Sequence, residues 1–587
     1  MEINEFIQPN NPTYEERDNM LKSALEEVGR IEDYNNIKEL LGPQADITKI
    51  ISPGKGKGIN VGIIGGGVAG LSSAFELRKL GFNITIFEEQ KERVGGRIYT
   101  YYFDKDKKMY GELGAMRIPV SHGTTWHYID TFGLETRPFV QENENGIIYI
   151  RNKRARNDPE GRSVMKNIYP EFDLSTFEKD MPWQEILSHA LESELNKLDT
   201  STRKEILQIK KGYSPKVKEL GALSTREVME DNGLTQGAIE LLSYLSPITG
   251  YFYYGSYIEN LQDQYIVNDY YRYYIKGGLS KLPISFYNSL ISKNPKEYIS
   301  ISNSNLGKVK WMNGRTVTGI YKIDEKNKVR IKYREGKSLE TYCEDFDYII
   351  CAIPFSSLRS VEIYPMFTPE KMQAIKELGY EAAQKTLFLC NNSFWEEGNK
   401  NERIIGGSSR TDLIISSIWY PNNHLSKNIE ISKNIEISKN KKRYKKHKNY
   451  KKHKNYKLWS NPGVLLASYN LNLDAVRLGN MDEKIRVELV KRQVEQVHGL
   501  SRGNLDSIVE SYKTIEWDHE QGFYGGISHY MEQQQSLFAY ASEQPEYDGR
   551  VYFAGEHISQ THAWIQGALS TGMKAANRIA EHYKYSF

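Results

Sequence analysis

The sequence predicts a mixed α/β protein of several domains, in which one parallel-sheet domain is assembled from separate parts of the chain. Two observations lead to this prediction. A strand, a glycine-rich turn, a helix and a second strand follow one another over residues 59–89, and another strand, turn and helix begin at Val551. Between these ends, residues 158–250 have mainly helical periodicity. At 587 residues the chain is too long for one core, so we expect about two to four domains.

Local signals predict individual elements within this plan. Thr13 and Glu16 form a capping box that opens a helix predicted over residues 13–31, where apolar residues recur at helical spacing up to Ile31. Two further long helices are predicted, at residues 181–198 and 481–499. After the helical middle, strands are predicted at residues 308–323, 328–335, 346–354 and 463–471.

Composition and cysteine content limit the class of protein. With 39% hydrophobic and 26% charged residues, the chain resembles an ordinary soluble globular protein. Cys343, Cys351 and Cys390 are too few for a disulfide framework, which favours a reducing compartment. The polar N-terminus does not predict a signal peptide, and no run of 18 apolar residues predicts a membrane span. We therefore expect a cytoplasmic protein.

A basic repeat interrupts the C-terminal half. Residues 426–457 contain 13 Lys/Arg and 2 Glu, a net charge of +11, which leaves −8 elsewhere because the whole chain carries +3. The segment consists of SKNIEI twice and YKKHKN twice, and its dense like charge opposes packing. Such a tract could attract phosphates. Since no nucleic-acid-binding signature accompanies it, we interpret it as a solvated loop and expect no nucleic-acid partner.

A nucleotide-binding signature lies at the first strand-to-helix turn. Gly65, Gly67 and Gly70 form Gly-x-Gly-x-x-Gly after an apolar strand. The first glycine permits the turn, the second lets backbone approach a pyrophosphate, and the third allows close helix–strand packing. Glu88, eighteen residues beyond Gly70, stands where a carboxylate binds ribose hydroxyls, and Glu89 competes for that role. The context predicts a dinucleotide but does not decide between NAD and FAD.

Two further segments resemble the flavin-dependent amine oxidase superfamily. The first is ERVGGR, residues 92–97, and the second is the C-terminal stretch GRVYFAGEHISQTHAWIQGALSTGMKAANRIA. This resemblance implies a glutathione-reductase-type domain that binds FAD. The cofactor contacts that it implies are made by Gly65, Gly67, Val68, Ala69, Gly70, Glu88, Glu89, Gly96, Arg97, Gly114, Ala115, Met116, Arg117, Val317, Gly555, Glu556, Trp564, Ile565 and Ala568.

Within that superfamily the chain resembles the L-amino-acid oxidases over about residues 58–582. The matching stretches include GELGAMRIPVSH, YIKGGLSKLP, NNSFWEE and GGSSRTDLIISSIWYPNN. The resemblance implies that Arg117 binds the substrate α-carboxylate, that Tyr420 hydrogen-bonds the same carboxylate in preference to Trp419, and that Trp564 walls the cavity. It also implies that Lys385 assists the reaction with O2. Arg117 lies in an apolar stretch, and either Glu112 or a substrate could pair with it.

The family activity converts an L-amino acid, O2 and water to a 2-oxo acid, ammonia and H2O2. The resemblance divides this chain into an N-terminal helix and linker (1–55), an FAD-binding domain (56–105, 255–375 and 545–587), a substrate-binding domain (106–150 and 376–544, with an insert at 421–460) and a helical domain (151–254). Relatives are commonly dimers or larger, so we expect a homo-oligomer. Tyrosine-rich stretches at 250–259 and 268–278 suit either a core or a cavity wall, and we expect most of these side chains in the core. The remainder, with the family resemblance, suggest a cavity for large apolar or aromatic substrates.

The chain departs from the family pattern at three places. Ala563 replaces the glycine usual before Trp564, and the segment 258–264 lacks the histidine that animal relatives carry, so we name no general base. Covalent flavin attachment uses a C-terminal cysteine in the superfamily, whereas the last cysteine here is Cys390, so we expect non-covalent FAD. No metal site is predicted.

Three other functions stay open at this stage. An amino-acid monooxygenase would share the fold and Arg117 but would yield an amide. A monoamine or polyamine oxidase needs no carboxylate-binding arginine, and pairing of Arg117 with Glu112 would favour it. A flavin-binding interaction protein without turnover is the remote alternative.

Overall fold

The structure is a computed structural model, and it describes residues 8–246, 251–422 and 462–586. The basic repeat at 426–457 lies outside the described residues. In the described parts of the chain, no helix combines the length and apolarity needed to cross a bilayer.

The helices are given in chain order. They are α1 (Tyr14–Glu27), α2 (Tyr34–Leu41), α3 (Val68–Lys79), α4 (Gly123–Phe132), α5 (Arg162–Asn167), α6 (Thr176–Lys179), α7 (Trp183–Lys197), α8 (Thr200–Ile206), α9 (Pro215–Gly221), α10 (Thr225–Asp231), α11 (Gln236–Leu245), α12 (Tyr251–Tyr254), α13 (Tyr257–Tyr265), α14 (Lys281–Ile291), α15 (Phe355–Leu358), α16 (Pro369–Glu377), α17 (Asn472–Gly479), α18 (Glu483–His498), α19 (Gln534–Glu543) and α20 (Ile565–Ser586).

The strands are numbered in the same way. They are β1 (Asn60–Ile64), β2 (Asn83–Glu88), β3 (Thr100–Tyr102), β4 (Tyr110–Glu112), β5 (Ile118–Pro119), β6 (Thr136–Pro138), β7 (Ile147–Ile150), β8 (Lys153–Arg156), β9 (Arg272–Ile275), β10 (Val309–Asn313), β11 (Arg315–Ile323), β12 (Lys328–Glu335), β13 (Thr341–Phe346), β14 (Tyr348–Cys351), β15 (Glu362–Tyr364), β16 (Gly379–Glu381), β17 (Ala383–Cys390), β18 (Ser408–Thr411), β19 (Ser417–Trp419), β20 (Gly463–Leu471), β21 (Val509–Glu516), β22 (Ile527–His529) and β23 (Val551–Phe553).

A five-stranded parallel sheet joins both ends of the chain, in the order β10-β2-β1-β14-β23. Its inner strands are almost wholly buried, as expected where helices cover both faces. Because the strands are parallel, their carboxyl ends meet at one edge, where the glycine-rich turn follows β1. The mixed α/β fold with a discontinuous Rossmann-like domain is therefore confirmed.

A seven-stranded sheet forms the second layer, in the order β21-β17-β20-β19-β18-β7-β8. Its strands come from residues 147–156 and from beyond residue 382, with α18 packed against it. A smaller sheet, β13-β12-β11-β15, packs into the same core as the parallel sheet. Most of the helices α5–α12 pack around separate apolar clusters beside β7 and β8.

Helices α3 and α20 pack closely although the chain separates them by almost 500 residues. The Ser72 hydroxyl donates to the Leu569 carbonyl at 3.3 Å, and the Ser73 hydroxyl donates to the Gly572 carbonyl at 2.9 Å. A Cβ on Gly572 would lie 2.3 Å from the Ala69 carbonyl oxygen, so only glycine permits this contact. This packing aligns the beginnings of the two helices at the same edge of the parallel sheet.

The structure confirms most of the predicted elements but changes three of them. The predicted strand 308–323 is divided into β10 and β11, which lie in different sheets, the strand predicted at 346–354 covers only β14, and the first helix is shorter. The capping box of Thr13 and Glu16 is present, but α1 ends at Glu27 and Ile31 is 43% exposed. Gly29 adopts a φ of +67°, and the Arg30 amide donates back to the Leu25 carbonyl, which terminates the helix. The predicted strands 328–335 and 463–471 coincide with β12 and β20.

We predict that Gly70→Ala unfolds at a lower denaturant concentration than the wild type. A Cβ at Gly70 would lie 2.1 Å from the Gly65 carbonyl oxygen, and this clash outweighs the helix propensity gained with alanine. We expect a loss of about 3 kcal/mol, measured by urea unfolding. Gly212→Ala is the control, because nothing lies within 4 Å of its Cβ position. Wild-type stability in Gly70→Ala would contradict the close packing of α3 against the turn that follows β1.

Candidate active site

A cavity of about 520 Å³ lies at the carboxyl edge of the parallel sheet. It borders the glycine-rich turn at one end and reaches β17, β20 and α13 at the other. All the predicted site residues except Gly70 and Tyr420 line it: Gly65, Gly67, Val68, Ala69, Glu88, Glu89, Gly96, Arg97, Gly114, Ala115, Met116, Arg117, Val317, Lys385, Gly555, Glu556, Trp564, Ile565 and Ala568. One continuous cavity therefore contains both predicted halves of the site.

The glycine-rich turn presents backbone to the cavity. Gly65 has a φ of +103°, in the left-handed region that favours glycine. Nothing lies within 4 Å of the Cβ position of Gly67, so a side chain there would enter the space of the cavity. Gly67 is also the N-cap of α3 and provides no capping side chain, which leaves the first N–H groups of the helix available to an anion. These features fit a pyrophosphate.

Glu88 and Glu89 both line the cavity but have different partners. The Glu88 carboxylate accepts hydrogen bonds from the Gly66 and Gln90 amides, each at 2.7 Å. Glu89 instead accepts from Thr316 and from Gln521. Because backbone amides orient Glu88 at the end of β2, its carboxylate is the better placed to accept ribose hydroxyls.

A second cluster surrounds the beginning of α20. The Arg97 guanidinium forms an ion pair with Glu556 at 2.8 Å and donates to the Gly526 carbonyl. Burial opposes the charge of Glu556, but Arg97 and nearby histidines outweigh it and lower its pKa to about 2. Ala563 has a φ of +64°, in the region where glycine is usual, and its amide donates to Glu556. This turn leads into α20. Its first residue, Ile565, lines the cavity, so the free N–H groups of the first helical turn begin at the cavity.

The predicted cofactor residues therefore fit FAD. The α3 turn would hold the pyrophosphate, Glu88 the ribose, and the α20 turn with Gly114–Arg117 would enclose the flavin. Cys343, Cys351 and Cys390 are free thiols, and none of them lines the cavity. The described residues contain no cluster of three or more His, Cys, Asp or Glu side chains that could hold a metal ion.

Arg117 lies where the cavity reaches the seven-stranded sheet. Its Nη1 donates to Gln141 at 3.0 Å, and its guanidinium lies 5.1 Å from the centre of the Trp419 ring. No carboxylate of the described residues forms an ion pair with it. Burial, and after it the charge of Arg272, lowers the pKa of Arg117 to about 10, so Arg117 stays charged at neutral pH.

Glu112 does not pair with Arg117. Its carboxyl group accepts hydrogen bonds from the Thr100 hydroxyl and from the Leu279 amide, both at 2.8 Å. Burial raises the pKa of Glu112 to about 7. Glu112 therefore stabilises the junction of β3, β4 and α14. Within the described chain no carboxylate lies at ion-pair distance from Arg117, and the charges of Asp263 and Asp269 act on it only from further away.

Strand register places Lys385 next to a tyrosine that the sequence analysis did not select. Lys385 on β17 pairs directly with Tyr469 on β20, so their side chains lie on the same face of the sheet. The Lys385 Nζ lies 4.3 Å from the Tyr469 ring centre and donates to the Gly114 carbonyl at 2.6 Å. Burial lowers the pKa of Lys385 to about 7, and Arg117 contributes to the shift.

Tyr420 lies away from the cavity, which contradicts the contact expected of it. Its hydroxyl hydrogen-bonds Ser409 at 2.7 Å and His498 at 2.9 Å within a separate apolar cluster. Neighbouring residues at a strand end face opposite sides of the sheet, so Trp419 approaches Arg117 while Tyr420 points towards α18. Tyr469 lines the cavity instead, and no described residue hydrogen-bonds its hydroxyl.

Trp564 closes the cavity beside α13. Its indole N–H donates to Asp263 at 3.1 Å, and the His122 ring packs edge-on at 5.0 Å. Glu259 also lines the cavity and pairs with His562 at 2.7 Å. Glu259 and Asp263 are four residues apart, the spacing that places two side chains on one helix face, and this signal could have identified them from the sequence.

Among the tyrosines of these two stretches whose side chains the structure describes, none lines the cavity. The Tyr253 and Tyr257 hydroxyls donate to backbone carbonyls inside the helical region, and Tyr273 is wholly buried. Among the described tyrosines, only Tyr469 and Tyr524 line the cavity. The suggestion of an aromatic substrate pocket therefore loses its support, because these side chains belong to the core.

We predict that Glu112→Gln stabilises the protein at high pH. Burial in the folded state raises the pKa of Glu112 from 4.5 to about 7. Its contribution to the free energy of unfolding is therefore greatest below pH 4.5 and is lost as the pH rises through 7. The amide oxygen of glutamine can still accept from the Leu279 N–H, and its NH2 group can donate to the Thr100 hydroxyl oxygen, without a buried charge. We expect a gain of about 2 kcal/mol at pH 8.5 and little change at pH 4.5, measured by urea unfolding at both pH values.

The exposed Glu185→Gln is the control and should change stability equally at both pH values. Destabilisation of Glu112→Gln at pH 8.5 would instead indicate that Glu112 anchors Arg117.

Comparisons with known proteins agree with this site. Residues 68–580 match the model of a family described as flavin containing amine oxidoreductase. The chain is 27% identical over 568 residues to an L-amino-acid oxidase of Sistrurus catenatus edwardsii, covering 96% of this chain and 94% of that one. It is 27% identical over 526 residues to an L-amino-acid oxidase of Notechis scutatus scutatus, covering 89% and 86%.

Solved structures share the fold. A putrescine oxidase bound to putrescine superposes with a TM-score of 0.62 at 13% identity, covering 89% of this chain and 98% of that one. Cyclohexylamine oxidase from Brevibacterium oxydans gives a TM-score of 0.60 at 15% identity, covering 89% and 99%. With a cavity that fits FAD and a family match over most of its length, the chain belongs to the flavin-containing amine oxidoreductases.

Proposed function

We propose that this protein catalyses the FAD-dependent oxidative deamination of L-amino acids, with O2 as electron acceptor. The observation that carries the proposal is Arg117, a charged guanidinium that lines the cavity and has no carboxylate partner among the described residues. A buried charge without a partner is costly, and a substrate carboxylate would compensate it. Glu112, the internal alternative, is engaged with Thr100 and Leu279.

The residues around Arg117 would orient an amino acid. A guanidinium binds a carboxylate through two parallel hydrogen bonds, which determine orientation as well as position. Tyr469 on β20 would donate a third hydrogen bond to the carboxylate, and Trp564 would limit the space beside the α-carbon. When bound, FAD supplies the chemistry by accepting a hydride from the α-carbon and passing the electrons to O2. The protein aligns that C–H bond and excludes water.

Lys385 adds a buried amine to the same region. It lines the cavity, is 3% exposed, and has a pKa lowered to about 7 by burial. Its donation to Gly114, a cavity residue, holds the amine at the boundary between the predicted flavin and substrate positions. This placement supports the assisting role in the O2 reaction that the family resemblance implies.

We predict that Arg117→Ala abolishes reduction of the flavin by L-amino acids. The measurement is anaerobic bleaching of the bound flavin by L-phenylalanine, L-leucine and L-lysine, by their D-enantiomers, and by phenethylamine and cadaverine. Wild type should be bleached by L-amino acids alone. In Arg117→Ala the rate at low substrate should fall on the order of 100-fold or more, because the carboxylate loses its partner.

Arg117→Lys is the matched control, since it keeps the charge but loses the bidentate geometry. Its rate of flavin reduction should lie between those of the wild type and Arg117→Ala. Bleaching of the wild type by the amines, unchanged in Arg117→Ala, would mean that Arg117 is structural and that the substrate class is wrong. Admission of air and analysis of the product then separates an oxidase, which yields a 2-oxo acid, from a monooxygenase, which yields an amide.

We predict different effects for two tyrosine variants that each remove one hydroxyl. Tyr469→Phe should raise KM for L-amino acids about 10-fold with a smaller change in kcat, because one hydrogen bond to the carboxylate is lost. Tyr420→Phe should leave both constants unchanged and lower stability by about 1 kcal/mol, since its hydroxyl contacts Ser409 and His498. Steady-state kinetics and urea unfolding measure these effects. The reverse pattern would restore Tyr420 as the substrate contact.

A cytoplasmic location and a homo-oligomeric state complete the proposal. The location is supported by Cys343, Cys351 and Cys390, which are all free thiols. Cell fractionation tests the location, and light scattering of the purified holoenzyme tests the oligomer.

A further inference from the structure

Four polar residues of α13 line the cavity between Trp564 and His562. They are Glu259, Asn260, Gln262 and Asp263, which we call the α13 wall. The apolar residues Ile258 and Leu261 of the same helix are fully buried in the core. Two carboxyl groups and two amides are an unusual lining for a pocket that takes apolar side chains, because such pockets are lined mainly by hydrophobic residues.

Asp263 has an oxygen without a partner. Its Oδ1 accepts from the Asn268 side-chain amide at 2.6 Å and from the Trp564 indole at 3.1 Å. Within the described residues, Oδ2 accepts no hydrogen bond, and no cation lies within ion-pair distance of this carboxylate. A carboxylate in a cavity with an open acceptor favours a ligand that donates hydrogen bonds, and a cationic donor most of all.

The other members of the α13 wall do not neutralise Asp263. The Glu259 carboxylate pairs with His562, whose pKa is raised by this contact although burial opposes it, so the pair is close to neutral. Gln262 is 2% exposed, and its Oε1 is buried without a hydrogen-bond partner. The Gln262 oxygen is too buried to contact a ligand, so the Asp263 carboxyl group is the open acceptor that the wall offers.

The groups facing Asp263 explain why it lacks an internal partner. Arg272 forms an ion pair with the exposed Asp269 and donates to the Asn268 carbonyl, so its guanidinium is already engaged. His122 hydrogen-bonds Asn268, and burial lowers its pKa to about 3, which keeps it neutral. Burial also raises the pKa of Asp263 to about 7, and a bound cation would favour its ionised form.

We propose that the α13 wall is a subsite for a cationic side chain, so that the preferred substrates are L-amino acids ending in an ammonium or guanidinium group. This inference rests on the proposed function, because it assumes that Arg117 holds the α-carboxylate. The substrate then has its anionic group at Arg117 and its cationic group at Asp263. Uncharged side chains leave the Asp263 carboxylate desolvated without compensation, which disfavours them.

Binding without turnover tests the subsite directly. 6-Aminohexanoate and hexanoate both carry the carboxylate, lack an α-amino group and differ only in the terminal ammonium. Their dissociation constants for the oxidised holoenzyme are measured from the perturbation of the flavin absorbance at pH 8. We expect 6-aminohexanoate to bind at least about 10-fold more tightly than hexanoate. Equal affinities in the wild type would overturn the inference.

Variants assign the preference to Asp263. Asp263→Asn keeps an acceptor for the Trp564 indole and should bring the affinity ratio close to one by weakening only 6-aminohexanoate. Asp231→Asn, which removes an exposed carboxylate from α10, should keep the wild-type ratio. Asp263→Glu keeps the charge and should retain part of the preference. A wild-type ratio in Asp263→Asn would overturn the inference. If Asp263→Asn does not fold, the affinity ratios of the wild type and of Asp263→Glu still show whether the terminal ammonium is recognised.

Turnover separates this inference from the proposed function. L-Lysine and L-norleucine differ only in the ε-ammonium, and kcat/KM should favour L-lysine at least about 10-fold in the wild type. Oxidation of both at equal efficiency would support the proposed function and overturn the subsite. An equal loss for both substrates in Asp263→Asn would place Asp263 at the α-amino group and also overturn it. Absence of oxidation with every L-amino acid would reject the proposed function itself.

Discussion

The close packing of α3 against α20 is the constraint on which the rest of the structure depends. Gly572, whose Cβ would lie 2.3 Å from the Ala69 carbonyl oxygen, lets the two helices approach closely, and Gly70 lets α3 pack against the turn that follows β1. Because β1 and β23 lie in the same parallel sheet, the two helices begin at the same edge. Both helix N-termini, with their partial positive charge, therefore face one cavity. Binding of a long dinucleotide follows from this arrangement.

The second sheet provides the chemistry at the far end of the cavity. Register brings Lys385 beside Tyr469, and the strand end at Trp419 brings an aromatic face to Arg117. Arg117 and Lys385 both lie away from water, and burial lowers the pKa of each. The charge of Arg117 lowers the pKa of Lys385 as well, and the charge of Arg272 lowers that of Arg117. Such an arrangement costs stability in the free protein. An anionic ligand would offset that cost, which supports the proposal that Arg117 binds a substrate carboxylate.

Much of the fold could be predicted because its signals are local. The capping box at Thr13, the alternating strands and the Gly-x-Gly-x-x-Gly turn each depend on residues close together in the chain, and the structure contains all of them. The tyrosine-rich stretches were harder to interpret. A phenol ring suits a core as well as a cavity wall, and only packing shows that Tyr257 and Tyr273 belong to the core.

The family, the glycine-rich cofactor turn and Arg117 as a candidate site residue could be predicted from the sequence alone, because each depends on a run of residues with fixed spacing. The tertiary structure decided which side chains meet Arg117. It placed Tyr469 in the cavity and Tyr420 on the opposite face of the sheet, and it brought Asp263 to Trp564 across 301 residues. The physical reason is that strand register and helix packing set contacts between distant segments. No local pattern in one sequence contains that information.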